Sequence, residues 1–195
     1  KKNKKLRQLG FQEMKIQDIV KSFSKYSTRI TDVKNIFYEI EKCVYLAKSG
    51  RPGPCVIDLP DDIQRMETSI DDQKTFNPQN IKLALDSQKV ETTCEMIRKS
   101  KRPIFVIGNG VRISNAKKDI YKLLEITGIP YAPTWATFDM FKTSDPKNIG
   151  SFGVYATRYG NFSIYNSDLL IVLGSQLPPT LIGSNPKLFS PNAKK

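Results

Sequence analysis

The stretch Ser49-Gly50-Arg51-Pro52-Gly53-Pro54-Cys55-Val56-Ile57-Asp58-Leu59-Pro60-Asp61-Asp62 decides how this chain is read. A glycine just past a helix supplies the left-handed residue that ends it, and the Pro/Gly run compresses the chain into a tight turn. Cys55 to Leu59 then read as a short inward strand, which Pro60 stops beside Asp61 and Asp62. Upstream, Thr31 or Asp32 is placed to cap a helix whose apolar positions Val33, Ile36, Phe37, Ile40, Val44 and Ala47 keep the 3.6-residue period. The run is therefore a crossover from an amphipathic helix into a strand, at the edge of a domain.

Outward from this crossover, the chain shows two regions. The opening Lys1 to Lys5 lead straight into Leu6-Arg7-Gln8-Leu9-Gly10-Phe11-Gln12 with no capping sequence, which reads as a start inside a domain. From Gln64 to Gln88 the pattern lapses into polar residues with Pro78, the composition of a linker crossing a surface. The spacing then predicts a short helix over 92–100 around Cys94 and Ile97, broken by Pro103. The apolar strand Ile104-Phe105-Val106-Ile107 and the turn Gly108-Asn109-Gly110 follow. Ser114 is placed to cap a helix bearing Ala116, Ile120, Leu123 and Leu124, which Gly128 closes before the strand Tyr131-Ala132-Pro133. A short helix over 162–166 precedes the strand Leu169-Leu170-Ile171-Val172-Leu173, which ends in Gly174, and Ser190 to Lys195 are placed to feed one more strand.

Apolar strands alternating with amphipathic helices describe an α/β fold, a parallel sheet covered on both faces. Ligands of such sheets sit at the carboxyl ends of strands, here Gly108, Thr134 and Gly174. Glycine at these ends either lets backbone amides approach a phosphate or merely connects elements.

Composition narrows the chemistry. With 195 residues and 39% hydrophobic content the chain builds a real core. No apolar run approaches the roughly 20 residues of a membrane span, and the lysine-rich start has no signal-type apolar segment after it. The chain contains no histidine, so Ser-His-Asp hydrolysis, His-paired cysteine chemistry and His-ligated zinc are excluded within it. The net charge of +12 comes from lysines strung along the whole chain without an aromatic platform, which reads as a solvated surface and not as a nucleic-acid site. Cys43, Cys55 and Cys94 are few, odd in number and far apart, so reduced thiols are expected, as in a cytoplasmic protein.

Four segments carry a resemblance: Gly10-Phe11-Gln12-Glu13, the run from Ser49 to Gln64, Arg102-Pro103-Ile104 to Gly110, and Gly160-Asn161-Phe162 through Ser167-Asp168 to Gly174. Together they resemble thiamine-diphosphate-dependent enzymes of the acetolactate synthase large-subunit group. The resemblance implies an α/β fold of parallel sheets flanked by helices. Residues 1–65 would be the C-terminal part of a pyrimidine-binding domain, 66–88 a linker, and 89–195 an incomplete Rossmann-like central domain. It places the activating glutamate upstream of this chain, and the Gly-Asp-Gly…Asn motif for magnesium and diphosphate in a third domain downstream. No catalytic residue and no metal ligand is therefore expected inside these residues. The implied whole is a decarboxylase/carboligase using thiamine diphosphate and magnesium, which joins a pyruvate-derived two-carbon unit to a 2-oxo acid. It would be a cytoplasmic homodimer or homotetramer, because active sites in the family lie between subunits. A nucleotide- or flavin-binding or assembly domain without catalysis is the alternative.

Residue by residue, Phe11 and Gln12 match a pair near the substrate and thiamine ring; a loop packed on Leu9 is the other reading. Arg51 matches an arginine that contacts FAD in flavin-binding members, and its alternative is an interdomain salt bridge with Asp58, Asp61 or Asp62. Gly108, Asn109, Thr134, Trp135, Gly153, Val154 and Gly174 match the flavin cradle of the central domain. The chain departs from the pattern at several points. Gly-Gly-Gly becomes Gly108-Asn109-Gly110, and Thr-Leu-Met becomes Thr134-Trp135-Ala136. Gly-x-Arg-Phe-Asp-Asp-Arg becomes Gly174-Ser175-Gln176-Leu177-Pro178-Pro179-Thr180. Losing both arginines removes charge-assisted contacts to a dinucleotide, which favours a vestigial or empty cleft over FAD. Trp135 would fill the flavin space or belong to the core. The family's lysine is Asp61, expected to repel a second carboxylate at the substrate entrance.

Overall fold

The computed structural model describes residues 10, 14–78 and 84–195; Phe11 and Gln12 lie outside the described residues. The chain divides into two units, Lys1–Leu83 and Ala84–Lys195.

In the first unit the described elements are α1 (Ile16–Val20), β1 (Tyr26–Arg29), α2 (Ile36–Lys48), β2 (Cys55–Asp58) and α3 (Asp61–Gln64). β1 and β2 are parallel, with Tyr26 opposite Cys55 and Arg29 opposite Asp58. Parallel neighbours require a crossover, which α2 provides. The helix begins later than its apolar period suggests, because Val33–Asn35 form a tighter 3-10 turn. That turn is capped by Asp32, whose carboxylate accepts from the Lys34 N–H at 3.0 Å. Of the periodic positions Phe37, Ile40 and Val44 are exposed, and the face that packs inward is centred on Cys43. Burial pushes the Cys43 thiol up to about 11, with the neighbouring Cys55 adding to the effect. Cys43, Cys55 and Cys94 are all free thiols.

The crossover turn is closed by a residue far from it in sequence. Gly50 takes the left-handed conformation, φ 54°. Lys25 Nζ donates to the carbonyl oxygens of Leu46 (2.6 Å), Arg51 (3.1 Å) and Ser49. An ammonium there satisfies carbonyls that the end of α2 leaves orphaned and complements the negative end of its dipole.

The polar segment after α3 lies back along α2. Phe37 N–H donates to Gln73 Oε1 (3.3 Å), Gln73 Nε2 to the Val33 carbonyl (3.1 Å), and Phe76 N–H to Glu41 Oε2 (2.7 Å). The Phe76 ring sits 5.5 Å from Tyr38 and 5.6 Å from Tyr45. A segment whose composition reads as a spacer is in its first half a strap, anchored by one aromatic residue.

The second unit holds α4 (Ser87–Lys99), β3 (Pro103–Ile107), α5 (Gly110–Ile113), α6 (Lys117–Thr127), β4 (Tyr131–Pro133), α7 (Arg158–Asn166), β5 (Leu169–Leu173) and α8 (Pro179–Ile182). Its sheet runs β4-β3-β5, parallel throughout, with Phe105 opposite Tyr131 on one side and Ile171 on the other. Because side chains alternate across a strand, Phe105 and Ile107 face a core with Ile120, Leu124 and Met140. Ile104 and Val106 face a second core with Phe152, Ile164 and Leu181. Both faces are covered, which is why β3 reads as continuously apolar.

Three helix starts differ from the sequence expectation. α4 begins at Ser87, where the Asp86 carboxylate accepts from the Lys89 N–H at 3.1 Å. α7 begins at Arg158, where Thr157 Oγ1 accepts from the Gly160 N–H at 3.2 Å. Their first turns are mainly polar and so carry no apolar period, although their caps are ordinary ones. Ser114 does not cap α6. Its hydroxyl donates to the Val111 carbonyl at 3.2 Å, and Asn115, at φ 58°, turns the chain into that helix. Gly128 closes α6 at φ 64°, as expected. At the end of the chain Leu170 N–H donates to the Lys194 carbonyl at 2.9 Å, so the last residues pair alongside β5.

Asp168 ties this sheet to α4. Its carboxylate accepts from the Ser100 hydroxyl, from Lys101 N–H (2.8 Å) and from Arg102 N–H (2.9 Å). The Ser100 bond, with the two amides, holds the carboxyl at about 2, below the ordinary 3.8. A depressed folded-state pKa means that the stabilisation is complete above the unfolded value and is lost as pH falls toward about 2. Urea midpoints measured from neutral pH downward should therefore drop between about pH 4 and pH 2. In Asp168→Asn this step should be smaller, and an unchanged step in the variant would contradict the assignment.

Candidate functional site

Parallel strands place their carboxyl ends on one edge of the sheet, and Gly108, Thr134 and Gly174 follow β3, β4 and β5 there. The structure brings the two glycine loops into direct contact. A Cβ added to Gly108 would lie 2.4 Å from the Gly174 carbonyl oxygen and 2.6 Å from Ser175 Cβ. One added to Gly110 would lie 2.7 Å from Gly174 Cα. Gly174, at φ 69°, would meet Val111 N at 2.5 Å. Two hydrogen bonds close the joint, from Gly108 N–H to the Leu173 carbonyl and from Gly110 N–H to the Gly174 carbonyl, both 2.8 Å.

Beside this joint, Thr134 N–H donates to the Ile107 carbonyl at 2.9 Å. The buried Thr137 hydroxyl reaches the same carbonyl at 2.8 Å and that of Thr134 at 3.0 Å. Thr137 was not legible as a site residue, since a threonine one turn past a strand has no sequence signature. Trp135 is 43% exposed and so is not a core residue; its ring lies 5.7 Å from that of Tyr155. Through this contact Gly153 and Val154 come near the edge. Gly153 exchanges two hydrogen bonds with the Asn161 side chain of α7 (2.7 and 3.0 Å), and Val154 N–H donates to the Thr180 carbonyl at 3.1 Å. These two residues also line a cavity of about 320 Å³ with Ile164, Leu181 and Phe189, between α7 and α8.

Arg112 pairs with the Asp139 carboxylate and donates to the Ala136 carbonyl at 3.2 Å. The hydrogen bond raises the guanidinium above its ordinary value and lowers the carboxyl. Arg51 belongs to the first unit and is exposed. Among the described residues Arg51 forms no ion pair with Asp58, Asp61 or Asp62; Asp58 pairs with Arg29 (3.6 Å) and Asp61 with Arg65 (2.7 Å). A larger cavity, about 580 Å³, opens at the amino end of β4 among Tyr121, Tyr131, Phe141 and Lys147. There the Tyr131 hydroxyl is committed to Asp145 at 2.8 Å, and the cavity lies away from the carboxyl edge that the topology favours.

Among the described residues no group of three or more His, Cys, Asp or Glu side chains is arranged to hold a metal. No described helix is long and apolar enough to cross a membrane.

The family described as thiamine pyrophosphate enzyme, central domain, matches residues 90–195. Acetolactate synthase 1, chloroplastic, of Nicotiana tabacum is 32% identical over 178 residues, 89% of this chain and 26% of that protein. The chloroplastic acetolactate synthase of Arabidopsis thaliana is 28% identical over the same share of this chain. The acetolactate synthase isozyme 1 large subunit of Escherichia coli K12 is 29% identical over 185 residues, 95% of this chain and 32% of that subunit. The chain spans about a quarter to a third of the length of these relatives.

Proposed function

Since the chain belongs to the thiamine pyrophosphate enzymes, we propose that it is a segment of an acetolactate synthase-like decarboxylase/carboligase. In this reading residues 1–65 end a pyrimidine-binding domain, 66–88 connect, and 89–195 form most of the central domain. One observation carries the proposal: the similarity to acetolactate synthases covers 178 residues and so extends well ahead of residue 90, where the central-domain match begins. A shared central domain alone would not produce it.

Thiamine diphosphate, when bound with magnesium, supplies the electron sink for decarboxylation of a 2-oxo acid. The residues that hold it belong to parts of the protein beyond this segment. Within the segment this reading assigns Phe11 and Gln12 to the substrate approach, a role suited to a neutral amide and an apolar ring, which bind a carbonyl without trapping a carboxylate. Asp61 opens α3 and puts an anion where the family resemblance implies a lysine; its ion pair with Arg65 is exposed, so its field is only partly offset. The acceptor is therefore a small 2-oxo acid, with a second carboxylate disfavoured. The protein works as a cytoplasmic homodimer or homotetramer with no nucleic-acid or membrane partner.

The complete protein, supplied with thiamine diphosphate, magnesium and pyruvate, is expected to release carbon dioxide and form a 2-aceto-2-hydroxy acid. Omitting the cofactor should abolish both. If pyruvate is not consumed with any 2-oxo acid acceptor, the proposal is wrong.

A further inference from the structure

We infer that the central unit of this chain does not seat a flavin dinucleotide, and that its edge glycines serve as a joint between the β3 and β5 loops. The inference rests on the family reading, which makes the carboxyl edge of this sheet the place where a flavin would lie. A dinucleotide needs donors for its diphosphate, supplied by free backbone amides or by guanidinium groups. Of the seven cradle residues, four spend their amide within the protein. Gly108 N–H donates to Leu173, Thr134 to Ile107, Gly153 to Asn161 and Val154 to Thr180, at 2.7 to 3.1 Å, and Gly110 N–H to Gly174 at 2.8 Å.

One guanidinium beside the edge is also used, since Arg112 is bound to Asp139. Gly174 through Thr180 contribute no charge. The room that absent Cβ atoms would leave for a phosphate is taken by protein, for at Gly108, Gly110 and Gly174 the nearest atoms stand 2.4 to 2.7 Å from the Cβ position. What the edge does present is the exposed aromatic pair Trp135 and Tyr155, which offers stacking but no anion site. A flavin held by stacking alone would lose the charge-assisted bonds that are about twice as strong as neutral ones.

Two measurements on the complete protein test this. The purified protein is examined for flavin absorption and titrated with FAD while flavin fluorescence is followed. No retained flavin and no saturable quenching are expected; flavin at one per chain, or saturable quenching, would overturn the inference. Thiamine-dependent pyruvate turnover measured on the same sample keeps the two readings apart, because turnover without flavin supports both, and absent turnover without flavin rejects only the proposed activity. Gly110→Ala supplies a second readout, with a lowered melting temperature that FAD does not restore. Restoration by FAD would show that the loop forms a flavin site, and a variant that fails to fold leaves the titration of the parent protein decisive.

Discussion

Gly160→Ala should destabilise the central unit by about 3 kcal/mol, against the ordinary expectation for a helix. Replacing glycine by alanine inside a helix normally gains up to about 1 kcal/mol from propensity. At this position a Cβ would sit 2.0 Å from the Ser151 carbonyl oxygen and 2.9 Å from Thr157 Oγ1. Ordinary van der Waals contact begins at 3.4 Å, so backbone must move by more than 1 Å. An alanine has no rotamer with which to avoid the clash. Moving Ser151 would also disturb the Thr157 cap of α7 and the paired bonds between Gly153 and Asn161. Strain of this kind lies at or above the upper end of the 1–3 kcal/mol typical of overpacking, which outweighs the propensity gain. Thermal unfolding should show a fall of roughly 10 °C for a unit of this size. A melting temperature equal to or above that of the parent would show that the loop yields cheaply.

The second large effect is expected from Phe105→Ala, at about 3–5 kcal/mol. Phe105 is 1% exposed and sits on the central strand, paired with Tyr131 and with Ile171. Its ring packs in the cluster with Ile107, Ile120, Leu124 and Met140. Removal costs the transfer energy of the ring and leaves a cavity that strands fixed on both sides cannot close. Chemical denaturation followed by far-UV circular dichroism should show a lower midpoint with an unchanged slope. A loss below about 1 kcal/mol would mean that α6 collapses into the space.

Much of the fold was legible because of local signals. β3, β4 and β5 are apolar runs ended by glycine or threonine, and burial on both faces writes that pattern directly into a sequence. Helix interiors showed their period, whereas the first turns of α4 and α7 did not, since a cap is one polar residue among many. The candidate site was half legible. Gly108, Thr134 and Gly174 follow β3, β4 and β5, yet what each residue of the edge touches depended on a distant partner. Arg112 and Asp139 lie 27 positions apart, and Ser100 and Asp168 lie 68 apart. No periodicity joins such pairs.

The run from Ser49 to Asp62 shows the same division. The sequence alone determined that a helix ends there, that Gly50 is left-handed and that a strand follows, since each depends on the conformational range of one or two residues. It also determined the alternation of strands and helices, and with it the parallel sheet. Only the tertiary structure decided that Lys25 closes the turn, that Phe76 straps α2 and that the edge glycines touch each other. A missing side chain reads identically in sequence whether a ligand or another backbone fills the space, and only the three-dimensional neighbour distinguishes them.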